Sequence, residues 1–545
     1  MDKGTKKIEF EAICENMSFD GKGCVHYKNH VGFIPSLLEG EKARIVMTYY
    51  TSNQFTGYVK ELLSSSKDRV KPRCPVYDKC GGCSLLHMSY EAQLEFKKER
   101  VKQTLKTIGG FKDIKVNNTL GMDNPYFYRN KIQMPLRLDK KRNIVSGFYQ
   151  ERTHNIIPIN KCYIENEDAD RILETIKKLM KSFKIQPYDE DKRTGVIRHI
   201  LIRSSLHFDE IMVVLVTNCD SFPSRNNFVK ELVKQEKKIV TVVQNINLRD
   251  TNVILGQKER ILYGKGYIKD SICDVVFNIS AMSFYQVNPI QVEKLYSLAI
   301  KKASLNKDEL LLDAYCGIGT IGLIASKYVK EVHGIEIVKE AIEDAKNNAR
   351  NNNIKNAKYY HGDAGEFILS QKEKGINYDV VIMDPARKGA DNKFLSTLLN
   401  TKPKKIVYVS CDPATLARDL KILSPEYTIE DVTPVDMFPQ TFHVETVTLL
   451  QRKDIDDRLK VRFELENLPL VKEETKATYQ EIKDYIFNKY NVKVSTLNIA
   501  QTKTKYGIIE RECYNKPKDD DSRQPRCTRE KEEMIVDALK HFKML

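Results

Sequence analysis

The 545-residue sequence predicts a multidomain protein of mixed α/β and β class, on three observations. Residues 308–450 alternate short apolar strands with helices, the pattern of a parallel α/β sheet covered by its crossovers. Residues 1–66 break into short alternating stretches divided by Gly, Asn and Ser turns, the pattern of a small barrel. Residues 455–545 are rich in Lys and Glu and read as mostly helical. Length alone favours three or four domains at roughly 100–200 residues each. The expected boundaries are 1–66 for the barrel, 67–285 for a central β-rich domain, 286–453 for the α/β domain and 454–545 for a mainly helical basic extension.

Taken in order, residues 7–14, 32–35 and 43–50 are the clearest barrel strands. Residues 71–90 hold a Cys-rich loop. From residue 90 to about 108 an amphipathic helix is expected, stopped by Gly109-Gly110. Residues 126–280 are mainly strand-like, with one helix near 168–183. Within the tail, residues 515–524 (NKPKDDDSRQ) read as a loop. No internal repeat is evident.

Hydrophobic residues make up 41% of the chain, and no apolar run reaches the roughly 18 residues of a membrane span. The opening residues lack the apolar core of a signal peptide, so a soluble, cytoplasmic protein with no membrane partner is expected. The formal net charge of +15 suits a polyphosphate partner, because each neutralised phosphate releases counterions; plain solubility would account for it equally. With no Trp in the chain, base stacking would fall to Tyr, Phe, His or Arg. Twelve cysteines in a reducing compartment argue for buried thiols, metal ligands or catalysts rather than disulfides.

The segment ELLLDAYCGIGTIGL (309–323) runs an apolar strand into Gly317-Ile318-Gly319, where glycine permits a tight turn and a close ligand. Asp313, Glu336, Asp363 and Asp384 each fall near the carboxyl end of a successive strand, the edge at which such sheets bind ligands. Glu336 is placed to accept hydrogen bonds from the hydroxyls of a ribose, and Asp363 to lie by an adenine edge. By letter GIGTIG also fits the dinucleotide fingerprint. The downstream motifs and the absence of an evident hydride-transfer domain favour S-adenosylmethionine as cofactor.

The segment KIVYVSCDPATLARDL (405–420) delivers Cys411 between a strand end and a helix start. A helix dipole there favours thiolate, and the flanking Ser, Asp and Pro are unlike a core setting. Downstream, MFPQTFHVETVTLL (437–450) places Glu445 at the head of an apolar strand, costly unless the carboxylate has a role or a partner. Arg418, on the helix after Cys411, is a further candidate to counter anionic charge.

Together SCDPATLARD, HVETV and FYQVN (284–288) resemble the uracil-5 RNA methyltransferases of the 23S ribosomal RNA and tRNA T-loop type, over about residues 5–453. The resemblance implies an N-terminal OB-like TRAM barrel and a Rossmann-like methyltransferase domain. It implies Cys411 as nucleophile toward carbon 6 of uracil and Glu445 as the base that removes the proton from carbon 5. It assigns the cofactor to Gln286, Tyr315, Glu336 and Asp384, with Asp363 lining the adenosine pocket. Thr320 departs from a close relative, which has Asn after the GxG.

The spacing C-x5-C-x2-C at Cys74, Cys80 and Cys83, with Cys162 distant, would hold zinc or an iron–sulfur cluster equally well. The resemblance selects a 4Fe-4S cluster. A methylthiotransferase would need a CxxxCxxC motif, and none is present. Phe127 to Lys131 and the pair Arg198-His199 resemble RNA-facing family segments. The expected partner is 23S ribosomal RNA and the expected state a monomer; the alternatives are a tRNA T-loop enzyme and a non-catalytic RNA-binding assembly factor.

Overall fold

The computed structural model describes residues 8–150, 156–249, 253–453, 479–506, 527–542 and 544. The chain forms two compact units, Met1–Asp454 and Ile455–Leu545. The loop read at 515–524 lies outside the described residues.

The first unit opens with strands β1 (Glu9–Ile13), β2 (Asn16–Met17), β3 (Gly23–Tyr27), β4 (His30–Ile34), β5 (Lys42–Tyr50) and β6 (Gln54–Ser64). Their order is β1-β5-β6-β4-β3-β2. Only Cys14 and Glu15 separate β1 from β2, and the Glu15 N–H donates to the Cys24 carbonyl at 2.9 Å. One bent strand therefore pairs on both sides and the sheet closes, leaving no free edge. Val25, Ile34, Leu37, Ala43, Ile45 and Phe55 fill it. The interior is tight enough that a Cβ on Gly32 would lie 2.1 Å from the Phe55 ring.

Next come a short helix α1 (Tyr77–Cys80) and helix α2 (Tyr90–Thr104). A wider turn at Leu105–Gly109 continues α2, and Gly110 at φ 78° ends it. The Gly-Gly stop acts as expected. The amphipathic reading of α2 needs correction. Its buried residues include Gln93 and Lys97, so its inner face is polar.

The central sheet has the order β13-β12-β11-β10-β7-β8-β9. Its strands are β7 (Lys131–Leu138), β8 (Ile144–Tyr149), β9 (Ile156–Pro158), β10 (Ile197–Ser204), β11 (Ile211–Thr217), β12 (Ile239–Ile246) and β13 (Lys258–Tyr263). Helix α3 (Glu167–Ser182) matches expectation; α4 (Arg225–Gln235) is an addition to it. A hairpin, β14 (Tyr267–Ile272) with β15 (Val275–Ser280), leads into the α/β sheet.

That sheet has the order β18-β17-β16-β19-β20-β22-β21, from β16 (Leu310–Ala314), β17 (Glu331–Glu336), β18 (Ala357–His361), β19 (Val380–Met383), β20 (Lys405–Ser410), β21 (Tyr427–Val435) and β22 (Glu445–Arg452). The first five to pair are parallel, and β22 inserts antiparallel between β20 and β21. Helices α5 (Pro289–Ala303), α6 (Thr320–Ala325), α7 (Lys339–Asn351), α8 (Ala364–Glu373), α9 (Asn392–Thr401) and α10 (Pro413–Leu423) accompany it. Strand order reverses at β16/β19, the place where such sheets open a crevice for ligands.

In the second unit, α11 (Tyr479–Tyr490), α12 (Thr496–Lys505) and α13 (Arg529–His541) pack around Ile482, Ile486, Ile499, Ile535 and Leu539. Residues 454–545 carry 19 Lys and Arg against 18 Asp and Glu. The extension is close to neutral, a correction to the basic character expected of it.

Candidate active site

The turn after β16 sets one half of the site. Gly317 (φ 53°) and Gly319 (φ 82°) hold left-handed conformations, as does Tyr315 at φ 62°, a rare state for a bulky residue. Asp313 lies beneath them, its Oδ2 accepting the Gly322 N–H at 2.8 Å. Burial raises its pKa to about 7. It braces the start of α6 rather than facing the crevice.

Glu336 ends β17. Its Oε2 accepts the Gly317 N–H at 3.2 Å, and its Oε1 accepts the N–H groups of Ile337 (2.9 Å) and Val338 (3.0 Å). These bonds anchor the Glu336 carboxylate at the glycine turn. Asp363 caps α8 by accepting the Glu366 N–H at 3.0 Å. The Tyr315 ring meets Phe394 edge-on at 5.3 Å, and its hydroxyl lies 3.5 Å from Asp391. Gln286 comes from the chain between β15 and α5; its carbonyl accepts from Asn130 Nδ2 at 3.1 Å, and its side chain bonds the buried Tyr296 hydroxyl. Thr320 is the first residue of α6.

The second half of the site lies across the switch point. Asp384 directly follows β19 and Cys411 directly follows β20. In the β20–β22 ladder Ser410 faces Thr446, so the next position sets Cys411 opposite Glu445. Burial raises the Asp384 carboxyl to about 7. Burial and then the charge of Asp384 raise Glu445 to about 8, against the pull of Arg387. The Cys411 thiol is pushed up to about 12 by burial and by the Glu445 and Asp384 charges, with Arg387 again opposing. Cys411 thus senses both carboxylates and Arg387, with Glu445 buried, Cys411 and Asp384 half-buried and Arg387 exposed. Two residues before the base, His443 is kept neutral, its pKa lowered to about 4 by burial and by Arg387 and Arg100.

Several expectations change. The start of α10 does not favour a thiolate at Cys411: Asp412 fills it, its Oδ1 accepting the N–H groups of Ala414 (2.8 Å) and Thr415 (3.1 Å). Arg418 is committed elsewhere, to Asp419 Oδ1 at 2.7 Å and to the Lys388 and Ala390 carbonyls. It ties down the loop that carries Arg387. Arg387, three residues after Asp384, is not singled out by the sequence pattern. Arg198 and His199 do not face RNA. Every residue of β10 is buried, and Arg198 forms a paired contact with Glu190 at 3.0 Å. Phe127, by contrast, lies beside Tyr163 with Lys161 over both rings.

Cys74, Cys80, Cys83 and Cys162 line one cavity of about 360 Å³, with Arg129, Lys131 and Glu165 on its wall. Burial pushes the Cys83 thiol up to about 12, with Cys80 and Cys74 adding to it. Among the described residues no group of three or more His, Cys, Asp and Glu is drawn together tightly enough to hold one metal ion. A tetrahedral zinc would need sulfurs at about 2.3 Å from a common centre. A polynuclear cluster keeps its cysteines farther apart, and four thiols on one cavity wall are the donor type it would take.

The parallel sheet with a glycine turn at its switch point is the fold of a methyltransferase that uses S-adenosylmethionine, and the similarities to known proteins agree. The tRNA (uracil-5-)-methyltransferase family model matches residues 89–453, and the chain belongs to that family. It is similar to an uncharacterized RNA methyltransferase of Clostridium acetobutylicum, 44% identical over 452 residues, covering 82% of this chain and 98% of the relative. A Listeria monocytogenes relative, likewise an uncharacterized RNA methyltransferase, is 45% identical over 446 residues, covering 82% and 98%. Among solved structures, the Pyrococcus abyssi tRNA (uracil-54, C5)-methyltransferase in complex with S-adenosyl-L-homocysteine superposes with a TM-score of 0.65 at 28% identity, covering 81% of this chain and 99% of that one. No helix among the described residues is long and apolar enough to cross a membrane.

Proposed function

We propose that this protein methylates carbon 5 of a uridine in 23S ribosomal RNA, through a covalent adduct between Cys411 and carbon 6. The observation that carries this reading is the facing of Cys411 and Glu445 across β20 and β22, with Asp384 and Arg387 beside them. Carbon 5 of uracil is a poor nucleophile. Addition of the Cys411 thiolate to carbon 6 makes the ring an enolate whose carbon 5 attacks. Bound S-adenosylmethionine supplies the electrophilic methyl group. Gln286, Tyr315, Glu336, Asp363 and Asp384 hold the cofactor, and Asp384 also bonds the pyrimidine edge. Glu445 then takes the proton left on carbon 5, and the thiolate departs. Arg387 offsets negative charge that three acidic groups cannot all carry in one pocket. The target base must leave its stack to reach them.

In the same reading the barrel of residues 1–66 is a TRAM-type RNA-binding module. Cys74, Cys80, Cys83 and Cys162 hold a 4Fe-4S cluster that pins the 74–83 loop to the strand region near 162. The protein works as a cytoplasmic monomer. The resemblance of the barrel and cysteine loop to the ribosomal group supports 23S RNA. The Pyrococcus abyssi structure, described as a tRNA (uracil-54, C5)-methyltransferase, favours a second reading, the tRNA T-loop. Mapping 5-methyluridine by mass spectrometry in RNA from cells lacking the protein separates the two. Loss from 23S RNA is the expected result. Loss confined to tRNA establishes the second reading, and loss from neither leaves only a non-catalytic assembly factor.

A further inference from the structure

Residues 436–444 form the segment that ends at Glu445, and side chains of α2 hold it along most of its length. Tyr90, Gln93, Lys97 and Arg100 follow one another at spacings of three, four and three, which places them on one helix face. Each contacts the segment. The Tyr90 hydroxyl donates to Asp436 Oδ2 at 2.8 Å. Lys97 Nζ pairs with Asp436 Oδ1 and donates to the Phe438 carbonyl at 3.1 Å. Gln93 and Gln440 exchange bonds: the Gln440 N–H donates to Gln93 Oε1 at 3.0 Å, and Gln93 Nε2 donates to Gln440 Oε1 at 2.9 Å. Arg100 donates to the Phe442 carbonyl at 2.6 Å.

Two features mark this as more than ordinary packing. Lys97 and Asp436 are both fully buried, and a buried ion pair is a poor way to gain stability compared with apolar side chains of the same volume. Gln440 sits at φ 68°, a conformation that a non-glycine residue keeps only when its surroundings over-determine it. The stripe therefore fixes the chain up to its entry into β22 at Glu445, with Gln440 five residues before that carboxylate.

We propose that Gln93 is a positioning residue for Glu445: the polar stripe of α2 fixes residues 436–444 so that the Glu445 carboxylate reaches the proton on carbon 5 of the methylated adduct. This rests on the reading of Glu445 as that base. In the step concerned the carbon 5–hydrogen bond breaks and its proton passes to the carboxylate. The electron pair forms the carbon 5–carbon 6 double bond, and the carbon 6–sulfur bond breaks to return the Cys411 thiolate. Formation of the adduct draws on Cys411, carried by β20, and not on this segment.

The test uses the full chain with S-adenosylmethionine and two sets of 23S RNA and tRNA transcripts, one with uridine and one with 5-fluorouridine. Fluorine cannot leave carbon 5 as a proton does, so the second set traps the adduct and reports its formation alone. Gln93→Leu is expected to trap 5-fluorouridine RNA within about twofold of the wild-type rate. Its turnover on uridine RNA is expected to fall about 100-fold, the scale of an ångström misplacement, with adduct accumulating on denaturing gels. Gln440→Gly, which suits the left-handed backbone and keeps the main-chain bonds, is expected to show the same pattern at about tenfold. Trapping and turnover falling together in both variants, or neither changing, overturns the proposal. Failure of Glu445→Gln to accumulate adduct overturns instead the reading on which it rests.

Discussion

Buried Glu445 and half-buried Asp384 and Cys411 compete for negative charge, and this bears on both reactivity and stability. As the proposed base Glu445 would work only when ionised, and its pKa is raised to about 8. The kcat/KM profile is therefore expected to climb from pH 6 to above pH 8, and a flat profile over that range would sink the assignment. The sign for stability is opposite. A carboxyl whose folded pKa exceeds its unfolded value of 4.5 binds protons more tightly in the folded state, so the folded state loses stability as pH rises from about 4.5 to 8. Glu445→Gln should raise the Tm by several degrees at pH 8, with the gain vanishing near pH 4.5. The same variant should accumulate a covalent RNA adduct, whereas Cys411→Ala should form none and lose turnover by at least about a thousandfold; near-normal methylation by the alanine variant would refute the covalent route. Cys411 was legible in the sequence because SCDP is unlike any core context. Glu445 drew its role from family likeness, since a lone acidic residue at a strand head is ambiguous until the facing strand is known. Arg198 misled because its partner Glu190 lies close in sequence but its burial depends on the whole sheet.

Elements differ in how much of their role local pattern encodes. The parallel strands of the α/β sheet were readable because residues buried on both faces make short apolar runs. Helix α2 was readable as a helix but not as a polar brace. Gln93 and Lys97 look solvated in a helical pattern, and their contacts with residues 436–440, together with the bonds of Gln93 to the Leu85 and Met88 carbonyls, show why they are buried. The barrel exposes Tyr49 (65%) and Tyr50 (62%) at the end of β5, side chains that cost surface energy unless something stacks on them. The double variant Tyr49→Ala with Tyr50→Ala is expected to weaken RNA binding by about tenfold or more with no change in Tm, measured by filter binding and thermal melts. Unchanged affinity would remove the barrel's aromatic face from the RNA path. For the cysteine loop, iron and sulfide analysis of anaerobically purified protein is expected to find a cluster that Cys83→Ser abolishes, with a Tm drop of about 5 °C or more. Iron-free wild-type protein with full stability would refute it.

At the scale of the whole chain, the positive charge is unevenly distributed. Residues 1–453 hold 70 Lys and Arg and 56 Asp and Glu, while residues 454–545 are nearly balanced. The family match also ends at residue 453, and the Pyrococcus abyssi enzyme is covered over 99% of its length by 81% of this chain. Phosphate neutralisation fixes the slope of log affinity against log salt. Removing residues 455–545 therefore takes away few, if any, of the cations that set it. The truncated chain is expected to keep its S-adenosylhomocysteine affinity, its turnover within about twofold and its salt slope within about one unit. A slope shallower by two or more units would show that the helical unit places its lysines on phosphates despite its balanced total. The net charge of the extension was open to a count of both signs: Lys and Glu are both strong helix formers, so a Lys-rich helical tail reads as basic until its acidic residues are counted against it.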